Sequence, residues 1–436
     1  MSYFHLNLIL QGKLTVCCLL MLSAMPLNAQ REAKQIGDFK ESISLNEHLR
    51  GTKRTLQYRP DGDEFVCVNG KNRYTRALYG SHSPFRVETS DRPVFAFYNN
   101  GRGGNISFKV ILRDGTELAL DCTGHCESRY SAGKRTYYLT DPSWGKGELR
   151  ISVLALADMD GAIWRFSPSN MPKGAILRWQ HGGATGKRLS RNGDMGVDPA
   201  DCFELPAEAT DLVTGELSLQ KEVYLVRGEV SEGYNVRKLY QQAEAASLVL
   251  ASHMKIETPD PYLNTLGGAL VAAADGIWDG QVWLHGAIGW RMPLSGWRAG
   301  YTGDALGWHD RARTHFDAYA ASQVTDVPNT IPHPAQDSTM NLARSEKRWG
   351  TPQYSNGYIC RNPGRNNQMH HYDMNLCYMD ELLWHFNWTG DTAYVRKMWP
   401  VITRHLAWEK LNYDPDNDGL YDAYACIWAS DALYYN

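Results

Sequence analysis

Aromatic and acidic side chains concentrate in the second half of this 436-residue chain, where eleven of its fourteen tryptophans lie after residue 250. Sugar rings present apolar C–H faces and a rim of hydroxyls, so a sugar pocket needs flat aromatic walls and carboxylate acceptors. Glycoside hydrolysis also needs carboxyl groups as acid, base or nucleophile. This half of the chain therefore favours carbohydrate chemistry, with tryptophans that fill a helical core as the alternative.

The densest stretch is interspersed with glycines. Its candidate site residues are Trp297, Arg298, Tyr301, Asp304 and Trp308. Asp304 follows a Thr-Gly pair and is a candidate catalytic carboxylate that would accept sugar hydroxyls. The alternative is that it caps a helix predicted over 304–323 by accepting free backbone N–H groups. Asp391 ends a second Thr-Gly-Asp triplet, on a tight turn, and is predicted to be a helix cap.

A second stretch places Asp373 directly after His370, His371 and Tyr372. A carboxylate beside aromatic rings can have its pKa raised by desolvation and then act as an acid. Asp373 is therefore the second candidate catalytic residue, with a structural acceptor as the alternative. His370 and Tyr372 are candidate substrate-binding residues. Glu381 lies about two turns further along the same helix face and could face the pocket or solvent, and the adjacent pair Asp380 and Glu381 favours a solvated face.

The sequence predicts no cofactor and no metal site. His309 and His315 lack the His-Glu-x-x-His spacing of a zinc site. Residues 414–419 have the Asp-x-Asp-x-Asp-Gly pattern of a calcium loop, but Ala425 stands where the bidentate Glu is expected. An ordinary turn between helices is the favoured interpretation, and calcium remains the alternative.

The bulk composition limits the class of protein. The chain has 45 basic and 48 acidic residues, a net charge of −3 and no run of like charge, so neither a nucleic-acid nor an anionic-membrane partner is indicated. Residues 1–29 read as a signal peptide, with Lys13 before an apolar run and Ala29 before charged residues. We therefore expect an exported protein, periplasmic or extracellular. No later segment is long and apolar enough to predict a membrane span.

Residues 30–234 are predicted to form an antiparallel β-sandwich. The segment 106–110 alternates apolar and polar residues, and Asp114-Gly115 then marks a hairpin turn. Further turn signals, such as Asn69-Gly70 and Asp160-Gly161, recur between β-branched and aromatic runs. The aromatic residues of this region are expected to be core rather than sugar platforms.

The periodicity changes to helical in the rest of the chain. Residues 235–260 are predicted to be a linker with a short helical piece over 239–251, and residues 261–436 a helical domain. Helices are predicted over 262–278, 304–323 and 369–388 and through Tyr394 to Leu406, with Pro400 kinking or splitting the last. The expected inward-facing residues are Leu263, Leu266, Leu270, Ala274 and Ile277 on the first helix, and Leu376, Met379, Leu383 and Phe386 on the third.

A β-sandwich followed by aromatic-rich helices on long loops resembles the six-hairpin glycosidases, whose (α/α)6 toroid surrounds a sugar pocket. The segment Arg298 to Ala305, Arg-Ala-Gly-Tyr-Thr-Gly-Asp-Ala, is similar to the Arg-x-Gly-Trp-Thr-Gly-Asp-Ala segment of family-78 α-L-rhamnosidases. The sequence departs from that family at Trp297, which stands where the general-acid Glu is expected, and at Gly296, which replaces the preceding Asp. An indole cannot donate the proton, so strict family-78 chemistry at position 297 is excluded.

A second segment extends the resemblance to these toroids. Tyr372-Asp373, Trp384 and the triplet 389–391 are similar to a helix beside the pocket, and Trp428 to Asp431 is similar to an aromatic–aspartate loop at the next hairpin. The resemblance implies that Trp297, Tyr301, Trp308 and Trp428 wall the pocket. It also implies that Arg298 and Asp431 contact the carbohydrate, and that hydrolysis is inverting, with carboxyl groups about 6.5–9.5 Å apart.

The function predicted from these features is an exported glycoside hydrolase acting on poly- or oligosaccharides, with α-L-rhamnosidase-like specificity as its narrowest form. Two alternatives remain open, a glycoside phosphorylase of the same architecture and a non-catalytic carbohydrate-binding protein. The helical domain offers four helices and the start of a fifth. We therefore expect a partial toroid, truncated at its C-terminus and inactive as this chain, with its catalytic base beyond residue 436.

Overall fold

Two antiparallel β-sheets form the N-terminal half of the computed structural model, which describes residues 57–99, 102–182, 212–228, 233–286, 291–325, 354–366, 374–414 and 416–421. The strands are β1 (Arg59–Asp61), β2 (Glu64–Val68), β3 (Arg76–Tyr79), β4 (Arg86–Thr89), β5 (Phe95–Asn99), β6 (Arg102–Ile111), β7 (Glu117–Ala119), β8 (His125–Ser131), β9 (Lys134–Thr140), β10 (Glu148–Ala155), β11 (Gly161–Ser169), β12 (Ile176–Gly182), β13 (Val213–Ser218) and β14 (Val223–Gly228). One sheet has the order β1-β2-β8-β9-β10-β11-β14 and the other β13-β12-β6-β5-β4-β3, with β7 paired to β6.

The predicted hairpin at Asp114-Gly115 is confirmed. Strands β6 and β7 pair with Val110 opposite Leu118. The chain reverses through Gly115, whose φ of +88° is one that glycine adopts without steric cost. Asp160-Gly161 likewise separates β10 from β11, where the Leu156 N–H donates to the Gly161 carbonyl at 2.8 Å.

Aromatic side chains fill the space between the two sheets. The ring of Phe95 on β5 meets Trp164 on β11 edge to face, with centroids 5.7 Å apart, and meets Tyr137 on β9 in the same way. All three are fully buried. Since Phe95 belongs to one sheet and its two partners to the other, the sheets pack face to face. The expectation that these aromatics are core is confirmed.

Six helices follow in the described residues. They are α1 (Val236–Ala251), α2 (Pro261–Gly276), α3 (Gly300–Ala305), α4 (His309–Ala320), α5 (Met374–Thr389) and α6 (Thr392–Tyr413). The predicted fold class, an antiparallel β-sandwich followed by a packed α-helical region, is confirmed in that order. No helix within the described ranges is both long and apolar enough to cross a membrane.

Helix α1 occupies much of the segment predicted as a linker. Asn235 caps it by accepting from the Lys238 N–H at 3.1 Å. Its buried residues Leu239 and Tyr240 pack against Leu154 and Ile163 of the sandwich. The predicted short helix over 239–251 is thus confirmed, while the domain boundaries at 29, 234 and 260 stay predictions.

Helix α2 matches the predicted helix, but its predicted inward face is partly wrong. Leu263 and Leu270 are 46% and 49% exposed. The helix instead turns small residues toward the sandwich, and a Cβ on Gly276 would lie 2.5 Å from the Tyr79 ring. Close approach of a helix to its neighbour requires small side chains. Leu263 and Leu270 therefore face outward, whereas Leu266 packs against the sandwich core as predicted.

Three other helix predictions need correction. The helix expected over 304–323 is interrupted: α3 ends at Ala305 and α4 begins at His309, because Gly307 between them has a non-helical φ of +73°. Pro400 does not split α6, which runs unbroken from Thr392 to Tyr413, so of the two predicted alternatives the split is wrong and the kink stays a prediction. On α5, Leu376 and Leu383 are 46% and 47% exposed, since the buried face of that helix carries polar groups.

Candidate functional site

The segment that resembles a rhamnosidase motif lies directly against helix α5. A Cβ on Gly296 would lie 2.0 Å from the Met374 carbonyl oxygen, and one on Gly300 would lie 2.3 Å from Glu381 Oε2. No other residue type permits these approaches without displacement of the neighbours. The two glycines therefore hold the candidate site residues of 297–304 against one face of α5.

Glu381 is the most strongly perturbed carboxyl group at this contact. It is 1% exposed, and its Oε2 accepts from the Gly300 N–H at 3.0 Å. Its Oε1 has no hydrogen-bond partner among the described residues. Burial raises the pKa of Glu381 to about 8, against hydrogen bonds from the backbone N–H groups of Gly300 and Arg298 that lower it, and the nearby Asp380 charge adds to the rise. The group is therefore a protonated acid at neutral pH.

Asp304 lies inside α3 rather than at a helix cap. It is 4% exposed, and its carboxylate is hydrogen-bonded to His385 Nδ1 at 2.9 Å and to His309 Nδ1 at 2.7 Å. No backbone N–H among the described residues donates to it, so the alternative that it caps a helix is wrong. Helix α4 begins after Trp308, which makes no side-chain cap.

The two imidazoles around Asp304 differ in exposure. A carboxylate only accepts, so each ring carries its proton on Nδ1 and donates from it. The His385 side chain is fully buried, and its Nε2 has no partner among the described residues. The His309 side chain is 40% exposed. Asp304 is thus linked both to the buried face of α5 and, through His309, to the protein surface.

Three predicted substrate-binding residues surround the Glu381 contact. Trp297 is half-buried, and its ring lies 4.3 Å from that of His285. Arg298 is exposed and holds a left-handed φ of +62°, a backbone state that costs a non-glycine residue about 1–3 kcal/mol. The Tyr301 hydroxyl donates to the Asp380 carboxylate, and burial and this charge raise the pKa of Tyr301. An aromatic face and polar groups therefore lie around the buried acid.

Trp308, also predicted to bind substrate, has a different setting. It is 8% exposed and belongs to the helical core. The Arg311 guanidinium lies 4.4 Å from its ring centroid, and the His253 ring packs edge-on at 5.4 Å. It lines a cavity between the sandwich and the helices.

Several other predicted site residues fall outside the described ranges. They are Asp373, His370, Tyr372, Trp428 and Asp431. Their roles stay predictions. Asp391 is described and is a helix cap as predicted, since its carboxylate accepts from the N–H groups of Ala393 and Tyr394, each at 3.0 Å.

The Asp-x-Asp-x-Asp-Gly loop brings three carboxylates together. Oxygens of Asp414, Asp416 and Asp418 lie within 4.8 Å of one another, a spacing that a cation can bridge. The same side chains also stabilise the turn, because Asp418 accepts from the Leu420 N–H at 2.7 Å and Asp414 from the Gly419 N–H at 3.3 Å. The turn predicted from the sequence is present here.

The sequence interpretation of Glu381 as part of a solvated face is wrong. Glu381 and His385 are four residues apart on α5, and Gly300 and Asp304 are four apart on α3. The two intervals match, so Glu381 meets Gly300 while His385 meets Asp304. The sequence signal was an acid and a histidine at i and i+4 on a helix rich in apolar residues, a spacing that puts both side chains on one face.

Comparison with known proteins gives limited further information. A family model described as "Domain of unknown function (DUF4450)" matches residues 100–233, which lie mainly in the sandwich. No curated protein matches the chain. A solved structure of a bacterial glucoamylase complexed with acarbose is similar, with a TM-score of 0.43 and 8% sequence identity.

This similarity covers 77% of the present chain and 61% of the glucoamylase chain. The chain thus spans about 61% of the length of the glucoamylase structure that it matches. At this identity and TM-score the likeness does not identify an activity.

Proposed function

We propose that this protein is a glycoside hydrolase of the six-hairpin type, its helices being part of an (α/α)6 toroid, with Glu381 as the proton donor. The supporting observation is the state of Glu381 beneath the motif segment. It is a buried carboxyl that is protonated at neutral pH, and its Oε1 has no hydrogen-bond partner among the described residues. An unpaired buried O–H costs about 1–3 kcal/mol, and such groups are retained mainly where they serve chemistry.

In the proposed reaction Glu381 is the general acid, a role that Trp297 cannot fill. Glu381 gives its proton to the glycosidic oxygen as the C–O bond breaks, and a second carboxylate activates water at the anomeric carbon. Asp373, predicted from the sequence as an acid, is proposed instead as this second carboxylate, in place of the base expected beyond residue 436. Asp304 is proposed to hold His309 and His385 in place rather than to react with the substrate, since its oxygens already accept from both histidines.

The proposed substrate is a poly- or oligosaccharide, with an α-L-rhamnoside as the narrowest assignment. Support comes from the half-buried Trp297 ring, the exposed Arg298 and Tyr301 beside the acid. An indole face packs against the C–H face of a sugar, and a guanidinium donates to its hydroxyls. The protein is further proposed to be exported after removal of residues 1–29, which N-terminal sequencing of the mature protein would test.

The test compares Glu381→Gln with wild type on a panel of aryl glycosides that includes an aryl α-L-rhamnoside. The amide keeps the acceptor for the Gly300 N–H but removes the proton, so kcat should fall by about 10²–10⁴-fold with KM unchanged. Wild-type kcat/KM should decline above about pH 8, where Glu381 ionises. Equal turnover by the variant would refute the assignment of the acid.

Glu409→Gln is the matched control. Glu409 is also 1% exposed and lies on the neighbouring helix α6, with its Oε1 3.2 Å from His405 Nε2. The same substitution there should leave turnover unchanged. Equal losses in both variants would show that a buried glutamate serves the fold and not the reaction.

The second candidate function is carbohydrate binding without turnover. It is favoured by Trp297, which stands where the acid is expected, and by the engagement of Asp304 with His309 and His385. Sugar binding by the wild type without product from any aryl glycoside would select this function. Release of a glycosyl phosphate only when phosphate is present would select the phosphorylase alternative.

A further inference from the structure

A cavity lies between the sandwich and helices α1, α2 and α4, with a volume of about 320 Å³. Its wall is formed largely by small side chains: Ala155 at the end of β10, Ala243 and Ala246 on α1, and Ala272 on α2. Larger residues at these positions would fill the space. The volume lies in the range of about 300–1,000 Å³ that is usual for small-molecule sites.

Three titratable side chains converge on this seam cavity. Asp275, in the last turn of α2, accepts at Oδ1 from Arg311 Nη1 at 2.7 Å and lies 3.3 Å from His82 Nε2. The side chains of Asp275, Arg311 and His82 are 10%, 27% and 40% exposed. The carboxylate is thus at the bottom of the cavity, and His82 is at its mouth.

The hydrogen-bonding capacity of this trio is only partly used. Both contacts to Asp275 are made at Oδ1, and neither Oδ2 nor the remaining guanidinium N–H groups of Arg311 have a hydrogen-bond partner among the residues that the structure describes. A carboxylate offers about four acceptor sites and a guanidinium five donors. A free acceptor and free donors therefore lie side by side in the cavity.

The trio is held in place before any ligand arrives. The Arg311 guanidinium lies 4.4 Å from the Trp308 ring centroid and 5.7 Å from that of Trp278, and stacking of this kind fixes a guanidinium. Arg291 Nη2 donates to the His82 carbonyl at 2.8 Å. Groups fixed in this way lose little conformational freedom when they bind a ligand.

We propose that the seam cavity is a second binding site for a neutral polyhydroxylated ligand of monosaccharide size. A hydroxyl both donates and accepts, so one hydroxyl of a vicinal pair donates to Asp275 Oδ2 while the other accepts from Arg311. A free anion would be repelled by Asp275 and a cation by Arg311. The choice of a sugar as the ligand rests on the proposed function, but the site does not require hydrolysis.

The test is calorimetric titration of the full chain with L-rhamnose, D-glucose and D-galactose. Wild type should bind at least one of them. Ala246→Leu, whose side chain would project into the cavity, should weaken that binding by about tenfold or more while turnover of an aryl glycoside is unchanged. Ala245→Leu makes the same change at an exposed position of the same helix and should bind as wild type does. No binding of any of the three sugars by wild type would overturn the proposal.

A second variant covers the case in which Ala246→Leu does not fold. Arg311→Lys keeps the positive charge beside Asp275 but removes the planar fork of donors, and it should weaken binding by a similar factor. Binding that is lost in Trp297→Ala but unchanged in Arg311→Lys would place the sugar elsewhere and overturn the proposal. If the protein binds a sugar in the seam cavity but hydrolyses no aryl glycoside, only the proposed hydrolase activity is refuted.

Discussion

Replacement of Glu381 by Gln should change how stability depends on pH. The pKa of Glu381 is raised by burial from 4.5 to about 8. Between these values the unfolded chain carries an ionised Glu while the folded chain keeps its proton. The contribution of Glu381 to the free energy of unfolding is therefore fully present below about pH 4.5 and is lost as pH rises through 8.

The magnitude follows from the width of that window. Each pH unit is worth about 1.4 kcal/mol, so the wild type should lose ~5 kcal/mol of unfolding free energy from this group between pH 4.5 and 8. Glutamine has no proton to lose and retains the hydrogen bond to Gly300. Glu381→Gln should therefore match wild type near pH 4.5 and become progressively more stable than wild type toward pH 8.

Urea unfolding of both proteins at half-unit steps from pH 4 to 8.5 measures this difference directly. His315 provides a comparison of opposite sign, since burial lowers its pKa from 6.5 to about 3. The contribution of His315 to the free energy of unfolding of the wild type is lost as pH falls below 6.5. His315→Gln should therefore become more stable relative to wild type toward acid pH. A constant offset between Glu381→Gln and wild type across the range would show that Glu381 is ionised in the folded protein.

Three further substitutions test the packing around the site. Gly296→Ala should destabilise the protein by about 2 kcal/mol or more, because its Cβ would meet the rigid Met374 carbonyl at 2.0 Å. The control is Gly104→Ala, where the nearest atom is 3.7 Å away and the loss of unfolding free energy in urea should be less than half as large. Equal losses in the two variants would contradict this reasoning. Asp391→Ala removes a cap and should cost about 0.5–2 kcal/mol, measured by thermal melting, where no shift would contradict the role. Asp304→Asn can keep an oxygen toward His309 but places an amide donor opposite the His385 donor, so it should cost about 1–3 kcal/mol, with an unchanged melting curve as the refuting result.

The local features of the fold could be predicted from the sequence because neighbouring residues determine them. The hairpin at Asp114-Gly115 depends on a turn that glycine favours, and the cap at Asp391 depends on a side chain that reaches the next backbone N–H groups. Neither depends on which distant element packs nearby.

The buried faces of the helices could not be predicted in the same way. On α2 a rule that places leucines inward fails for Leu263 and Leu270, because the partner is a sandwich approached through Gly276 and other small residues. On α5 the same rule fails, because Glu381 and His385 find buried partners on α3. The spacing of apolar residues along the sequence identifies a helix, but the element packed against it decides which side of the helix is buried.

The two hydrogen-bonded contacts between α3 and α5 also constrain how these helices can be aligned. Gly300 meets Glu381, and Asp304 meets His385, one turn further along each helix. A slip of α5 by one turn, about 5.4 Å, would bring Glu381 opposite Asp304 in place of His385. It would leave the Gly300 N–H without its carboxyl partner and His385 without its carboxylate. An apolar seam would tolerate such a slip at modest cost. The polar stripe therefore makes one alignment of α3 and α5 distinct from its nearest competitors, in the way that a single buried polar residue fixes the register of a coiled coil.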